Sequence, residues 1–215
     1  MNRFNIVYYT DPLCCWSWAF ESTLRQLREY LKDDCEIRYC MGGMLASWNT
    51  YQDTLLMVTR PAQMGPVWMQ VRQVTGAKLN ERIWHFDPPA SSYPACIAVK
   101  CMGRQSKNAE EEYLYRLRKA VMLEEKNIAK PEVLLQLAEA LDKEAPGLFD
   151  LPLFKQQLTD ETTINAFKAD LNERKERNIS RFPSLWISTQ EDERKSLLIT
   201  GNRPFEALQT LIHQF

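Results

Sequence analysis

Histidine is nearly absent from this 215-residue chain, which holds only His85 and His213. Two imidazoles and no C-x-x-C pair leave little from which to build a zinc site, so no metal is expected. Neither sign of charge is in excess: 27 Lys and Arg stand against 28 Asp and Glu. That balance excludes a simple, strongly basic nucleic-acid binder and an acidic disordered tail. No apolar run approaches the roughly 18 residues that a membrane span requires. The opening Met1-Asn2-Arg3-Phe4-Asn5 lacks the apolar core of a secretory signal. A reducing cytoplasm is therefore the expected compartment, with no membrane and no nucleic acid among the partners.

Cysteine is the informative residue that is present. There are six: Cys14, Cys15, Cys35, Cys40, Cys96 and Cys101. A chain of this length buries roughly 70% of its unfolded surface, so it needs no disulfide staple. In a reducing compartment most of these thiols should be free, small hydrophobes. Cys35, Cys40, Cys96 and Cys101 are expected to be core filler.

The order of elements is legible from periodicity and punctuation. Phe4–Tyr9 reads as a buried strand broken by Asp11-Pro12. A helix over about Cys15–Lys32 follows, with Trp18, Leu24, Leu27 and Leu31 on one face and Asp33-Asp34 as its end. Glu36–Met41 is a second strand closed by Gly42-Gly43. The middle is helical: Pro66–Val74, Ser91–Gly103 capped by Ser91 or Ser92, Ala109–Glu125, Pro131–Leu141 and Thr163–Asn178. The charged run Asn172–Arg177 reads as a solvated face. Ser184–Ser188 and Ser196–Thr200, joined by the polar Gln190–Lys195, form a hairpin before a terminal helix over Phe205–His213. Leu208, Leu211 and Ile212 point inward from that helix. The pattern is α/β: a thioredoxin-like fold, β-α-β … β-β-α, with a large all-helical insertion. Residues 1–50 and 178–215 form the thioredoxin-like domain, and residues 51–177 the insertion.

The chemistry concentrates in Asp11-Pro12-Leu13-Cys14-Cys15-Trp16-Ser17-Trp18. Cys14 stands where a strand turns into a helix, so free amides and the helix dipole should favour thiolate over thiol. The position of a resolving cysteine, three residues on, carries Ser17. A hydroxyl cannot resolve a mixed disulfide, but it can donate a hydrogen bond to the Cys14 sulfur. Cys14 is thus a monothiol nucleophile with Ser17 as its catalytic partner, unless Cys15 or a mobile cysteine resolves it, and Cys15 should point away from it. The second element is Arg181-Phe182-Pro183-Ser184. A cis bond at Phe182–Pro183 would present the Phe182 backbone to the sulfur. Trp16 is expected in the site, whereas Trp18, Trp48, Trp68 and Trp84 read mainly as core. Met41, Met44, Met57, Met64 and Met69 are candidates to line an adaptable groove, with core packing the default reading for most of them. Arg203, after Gly201, is a candidate to face a carboxylate such as glutathione's, with a surface arginine as the default reading.

These residues resemble a known family. Asp11-Pro12-Leu13-Cys14-x-Trp16-Ser17 is similar to the D-P-x-C-x-W-C segment of DsbA-like thioredoxin-superfamily proteins, and Phe182-Pro183 to their cis-proline. Gly42-Gly43, Ser91–Ala95 and Gly201–Leu208 also match, most closely the FrnE-like cytoplasmic branch. The resemblance implies a thiol-disulfide oxidoreductase that requires no cofactor. Its partners would be thiol or disulfide substrates, protein or glutathione, with Cys15, Trp16, Phe182, Pro183 and Arg203 lining the binding site. Its oligomeric state is open, a homodimer included. Ser17 departs from the pattern. The same stretch resembles kappa-class glutathione transferases and 2-hydroxychromene-2-carboxylate isomerases, where glutathione is a co-substrate. A third reading is a non-catalytic DsbA-like adaptor.

Overall fold

A computed structural model describes residues 4–53, 56–189 and 195–215. The start of the chain read for an export signal, Met1–Arg3, and most of the polar stretch joining the hairpin, residues 190–194, lie outside the described residues. Four strands form one sheet among the described residues: β1 (Phe4–Thr10), β2 (Cys35–Met41), β3 (Ser184–Thr189) and β4 (Ser196–Thr200), in the order β2-β1-β3-β4. β1 and β2 run parallel, pairing Tyr9 with Cys40. β3 is antiparallel to β1 and to β4, pairing Ile6 with Ile187 and Leu185 with Ile199. This is a thioredoxin-like fold, and the helical chain between β2 and β3 is its insertion.

The helix expected after β1 is two. α1 (Cys15–Ala19) stops at Phe20, whose amide turns back to the Trp16 and Trp18 carbonyls, and α2 (Glu21–Leu31) starts afresh. The buried Phe20 ring lies 5.9 Å from the Tyr8 ring, so packing against the sheet overrides continuous helical periodicity. α2 ends at Leu31, ahead of Asp33-Asp34, which instead lie in a 3₁₀ turn. The insertion contains α3 (Met64–Thr75), α4 (Ile83–Phe86), α5 (Tyr93–Gly103), α6 (Lys107–Leu123), α7 (Pro131–Glu144), α8 (Leu151–Gln157) and α9 (Glu161–Glu176). α4 and α8 are too short to show a helical period, and sequence reading misses them. The terminal helix α10 (Phe205–His213) buries Leu208 and Ile212 but leaves Leu211 exposed, contrary to expectation.

The insertion is tied to the sheet edge by charge as well as by packing. Asp170 of α9 accepts the Met41 amide of β2 at 2.8 Å and pairs with Lys100 of α5 at 3.2 Å. The charged run on α9 is therefore not wholly solvated. Glu173 accepts from Tyr9 Oη at 2.6 Å and from Arg38, while Arg177 donates to the same Tyr9 hydroxyl and lies over the Trp186 ring. Asn172, Lys175 and Glu176 do face water.

Candidate functional site

The site begins with a buried aspartate. After β1 the chain turns sharply, and Asp11 occupies the turn with its carboxylate fully enclosed. Oδ1 accepts the Leu13 amide at 2.9 Å. Oδ2 accepts the Met44 amide at 2.6 Å, the Ser92 hydroxyl at 2.9 Å and the Cys96 thiol at 3.5 Å. One side chain thus fastens the β1–α1 turn to the segment after β2 and to the start of α5. Burial raises its pKa, and the donated hydrogen bonds pull the other way. Sequence reading took Asp11-Pro12 as a strand break and gave Asp11 no further role. It also took Ser91 or Ser92 as a helix cap. Ser92 makes no side-chain cap bond, because its hydroxyl is committed to Asp11.

That turn delivers Cys14 to the N-cap of α1 with extended backbone, φ −79° and ψ 108°. The Ser17 amide donates to Cys14 Sγ at 3.4 Å, and the thiol donates to the Phe182 carbonyl at 3.5 Å. The Phe182–Pro183 bond is cis. Two hydrogen bonds hold the adjoining turn: the Gly201 amide to the Pro183 carbonyl at 2.8 Å, and the Ser184 hydroxyl to the Arg181 carbonyl at 2.8 Å. Gly42 lets this arrangement close, since any Cβ there would overlap the Phe182 ring.

Two expectations for Cys14 are corrected. The first was a depressed pKa. Cys14 is only 5% exposed, and burial pushes its thiol up, with Asp11 adding to the rise. The Ser17 contacts and Arg118 oppose this without overcoming it. The physical reason is that α1 spans only five residues, so its dipole is small, while removal from water penalises the anion heavily. The second was the bond from the Ser17 hydroxyl. The Ser17 amide makes the bond to sulfur instead. The hydroxyl lies buried beside the Cys14 thiol and the Tyr8 hydroxyl without a well-formed hydrogen bond to either.

The Cys14 thiol opens on a groove of about 1000 Å³. One part of its wall is apolar and includes Trp16, Met44, Tyr51, Leu56, Met64 and Val67. Another carries Arg174, Arg181 and Arg203, which form no ion pair among the described residues, with Asp53 elsewhere on the wall. Of the methionines considered, Met44 and Met64 line the groove, Met41 is core, and Met57 and Met69 are exposed outside it. Trp68 reaches the groove from the core, while Trp84 is buried and packs edge-on against Trp48 and Trp68. Trp18 donates its indole N–H to the Lys78 carbonyl. Arg174 and Arg181 were missed in sequence. Arg174 sits in the charged run of α9, and Arg181 carries no local signal.

The remaining thiols divide as follows. Cys15 is buried in the main core, though it also borders the groove, and burial holds its thiol well up. Cys40, Cys96 and Cys101 are buried, whereas Cys35, at the start of edge strand β2, is half-exposed rather than core. All six are free thiols. Among the described residues, no three His, Cys, Asp or Glu side chains gather as metal ligands, and no helix is long and apolar enough to cross a membrane.

The thioredoxin family model Thioredoxin_5 matches residues 8–210. Among curated proteins, the ClpXP adapter protein SpxH of Halalkalibacterium halodurans is 26% identical over 200 residues, covering 93% of this chain and 63% of the relative. SpxH of Bacillus subtilis is 23% identical over 211 residues, covering 97% and 66%. The chain thus spans a little under two thirds of the length of these relatives. Among solved structures, a candidate protein disulfide isomerase from Nitrosomonas europaea superposes with a TM-score of 0.82 at 21% identity, over 99% of this chain and 97% of that one. The cytosolic disulfide reductase DsbM of Pseudomonas aeruginosa, solved with GSH, gives 0.71 at 20% identity, over 98% of each chain.

Proposed function

The chain belongs to the thioredoxin family, and on that premise we propose that it is a thiol-disulfide oxidoreductase working through one cysteine, Cys14. The observation that carries this reading is the placement of the Cys14 thiol, between the Ser17 amide and the Phe182 carbonyl and at the wall of a large groove. In the forward step the Cys14 thiolate attacks one sulfur of a disulfide. A Cys14–S bond forms, the substrate S–S bond breaks, and the other half leaves as thiolate. With Ser17 in the resolving position, an external thiol must then attack the mixed disulfide to release Cys14.

Glutathione suits the external thiol, with a protein disulfide or a glutathionylated protein as the substrate, and oxidised glutathione probes the first step alone. Its carboxylates match Arg174, Arg181 and Arg203, which form no ion pair among the described residues, and the disulfide reductase DsbM was solved with GSH. Trp16, Cys15 and Phe182 border the same space, Pro183 standing outside its lining, and the reaction takes place in the cytoplasm. The test is intact mass after brief incubation with oxidised glutathione. Wild type should gain one glutathionyl group, and Cys14→Ser none. No adduct on wild type, or an adduct that survives Cys14→Ser, would overturn the reading.

A second reading is a non-catalytic adaptor. It is favoured by the curated relatives, which are ClpXP adapter proteins, and by the burial that disfavours the Cys14 thiolate. Delivery of a protein to purified ClpXP that is unchanged in Cys14→Ser would favour this reading over the first. The kappa-class transferase or isomerase reading rests on the motif and on the fold shared with a 2-hydroxychromene-2-carboxylate isomerase, TM-score 0.64 at 15% identity.

A further inference from the structure

Behind Cys14, away from the groove, lies a buried polar cluster that the exchange step does not use. Its centre is Arg118 of α6, on the helical insertion, only 1% exposed. Nη1 pairs with Glu21 of α2 at 2.7 Å, and Nη2 donates to the Thr10 hydroxyl at the end of β1. Nε has no partner among the described residues. The Arg118 guanidinium carbon stands 5.8 Å from the centre of the Tyr8 ring. The buried Tyr8 hydroxyl lies beside the Thr10 and Ser17 hydroxyls, and the Ser17 hydroxyl neighbours Cys14 Sγ, though neither Tyr8 nor Ser17 makes a well-formed side-chain hydrogen bond among the described residues.

Three buried N–H or O–H groups behind one thiol, none of them in a well-formed hydrogen bond among the described residues, are an expensive arrangement. Native interiors leave few such groups without a reason. What the Arg118, Tyr8 and Ser17 groups lack on the Cys14 side is an anion to face, and the anion this site can generate is the Cys14 sulfur in its ionised form. A cation and donors that stand ready before charge appears stabilise it without reorganisation. We propose that Arg118, held by Glu21 and Thr10, is a positioning cation for the Cys14 thiolate and acts through the Tyr8 and Ser17 hydroxyls. This rests on Cys14 being the nucleophile. When the thiol ionises, its proton leaves to water in the groove. The Ser17 hydroxyl turns to donate to sulfur and the Tyr8 hydroxyl to Ser17 Oγ, with no proton passed along the chain. The insertion thereby contributes to the chemistry of the thioredoxin-like domain and does more than wall the groove.

Other groups also face Cys14. Asp11 from the β1–α1 turn and Cys15 from α1 are neighbours whose negative charge would oppose its ionisation, and Tyr51 faces it from the segment after β2. Tyr9 and Cys40 pack beside it in the sheet, and Arg174, Arg181, Arg203, Asp53 and Tyr93 lie along the groove. None of these is altered by the test below.

The test is the pH profile of Cys14 alkylation by iodoacetamide, followed by peptide mass spectrometry in the intact, full chain. Tyr8→Phe removes only an oxygen. Arg118→Met paired with Glu21→Gln removes the cation without stranding a buried carboxylate. The double variant should move the midpoint up by about one unit, which is about tenfold less thiolate at neutral pH. Tyr8→Phe should lower the neutral-pH rate by about two- to threefold, within the range of one weak hydrogen bond. The rate at full ionisation should be unchanged in both, and Tyr8→Phe should be no less stable to urea than wild type. Tyr8→Phe keeps the question decidable should the double variant fail to fold. A reactive wild-type Cys14 whose profile is the same in Tyr8→Phe would overturn this inference alone. A wild-type Cys14 that does not react at any pH would overturn the reading of Cys14 as nucleophile along with it.

Discussion

At the scale of single residues, the site depends on a missing side chain as much as on those present. Gly42 follows β2, and its amide donates to the Thr10 carbonyl at 2.6 Å. The Phe182 ring occupies the space where a Cβ would stand. Gly42→Ala must therefore displace Phe182, whose carbonyl contacts Cys14 Sγ. The expected cost is about 1–3 kcal/mol of stability, typical of overpacking, together with slower glutathionylation of Cys14. Urea unfolding and the intact-mass assay read the two effects separately. A variant with wild-type stability and adduct rate would show that the Phe182 ring is free to move aside. This dependence was hidden in the sequence: Gly42-Gly43 is visible as a strand stop, but nothing local says that Phe182, 140 positions on, fills the gap.

At the scale of elements, α9 is attached to β2 through one buried carboxylate. Asp170 accepts the Met41 amide and pairs with Lys100, which also reaches Glu110 of α6. Burial pushes the Asp170 and Glu110 carboxyls up, and Lys100 opposes it in both. Asp170→Ala would leave Met41 N–H unpartnered and Lys100 with Glu110 as its one carboxylate among the described residues, beside the Tyr39 carbonyl. The expected loss is about 3–5 kcal/mol, the usual result of removing one partner from a buried pair, measured by urea unfolding. Asp170→Asn, which can still accept the amide hydrogen, should lose less. Equal losses in the two would show that the Lys100 charge, not the Met41 amide, is what Asp170 serves. Helix α9 was legible as a helix from its sequence. Its polar face was misread because a charge run facing water and one facing a sheet edge share a composition.

At the scale of the whole molecule, the interior is rich in groups that resist ionisation. Burial raises the pKa of Cys14, Cys15, Cys96, Tyr8 and Tyr113, and takes Cys101 up to about 11. Each keeps its proton in the folded chain at a pH where the unfolded chain has released it. Stability from these groups is complete below the unfolded thiol value of 9.0 and is lost as pH rises through the folded values. The urea midpoint should therefore fall steadily above about pH 9, with no matching loss between neutral pH and there. A flat midpoint on the alkaline side would mean that these groups ionise in place.

The sequence alone determined the order of the elements, the division into a sheet-forming shell and a helical insertion, and the position of Cys14 at a strand–helix junction. Each is a local matter: period, turn residues and the spacing within one motif. Only the tertiary structure decided what surrounds that thiol. Burial outweighed the short helix dipole and raised the Cys14 pKa. The Ser17 amide, not its hydroxyl, took the bond to sulfur. Asp11 found its partners Met44, Ser92 and Cys96 across the fold, and Arg118 and Arg174 came toward Cys14 and its groove from the insertion. The physical reason is that desolvation and charge–charge contact depend on distance in space, and residues more than a hundred positions apart have no shared local pattern from which that distance could be read.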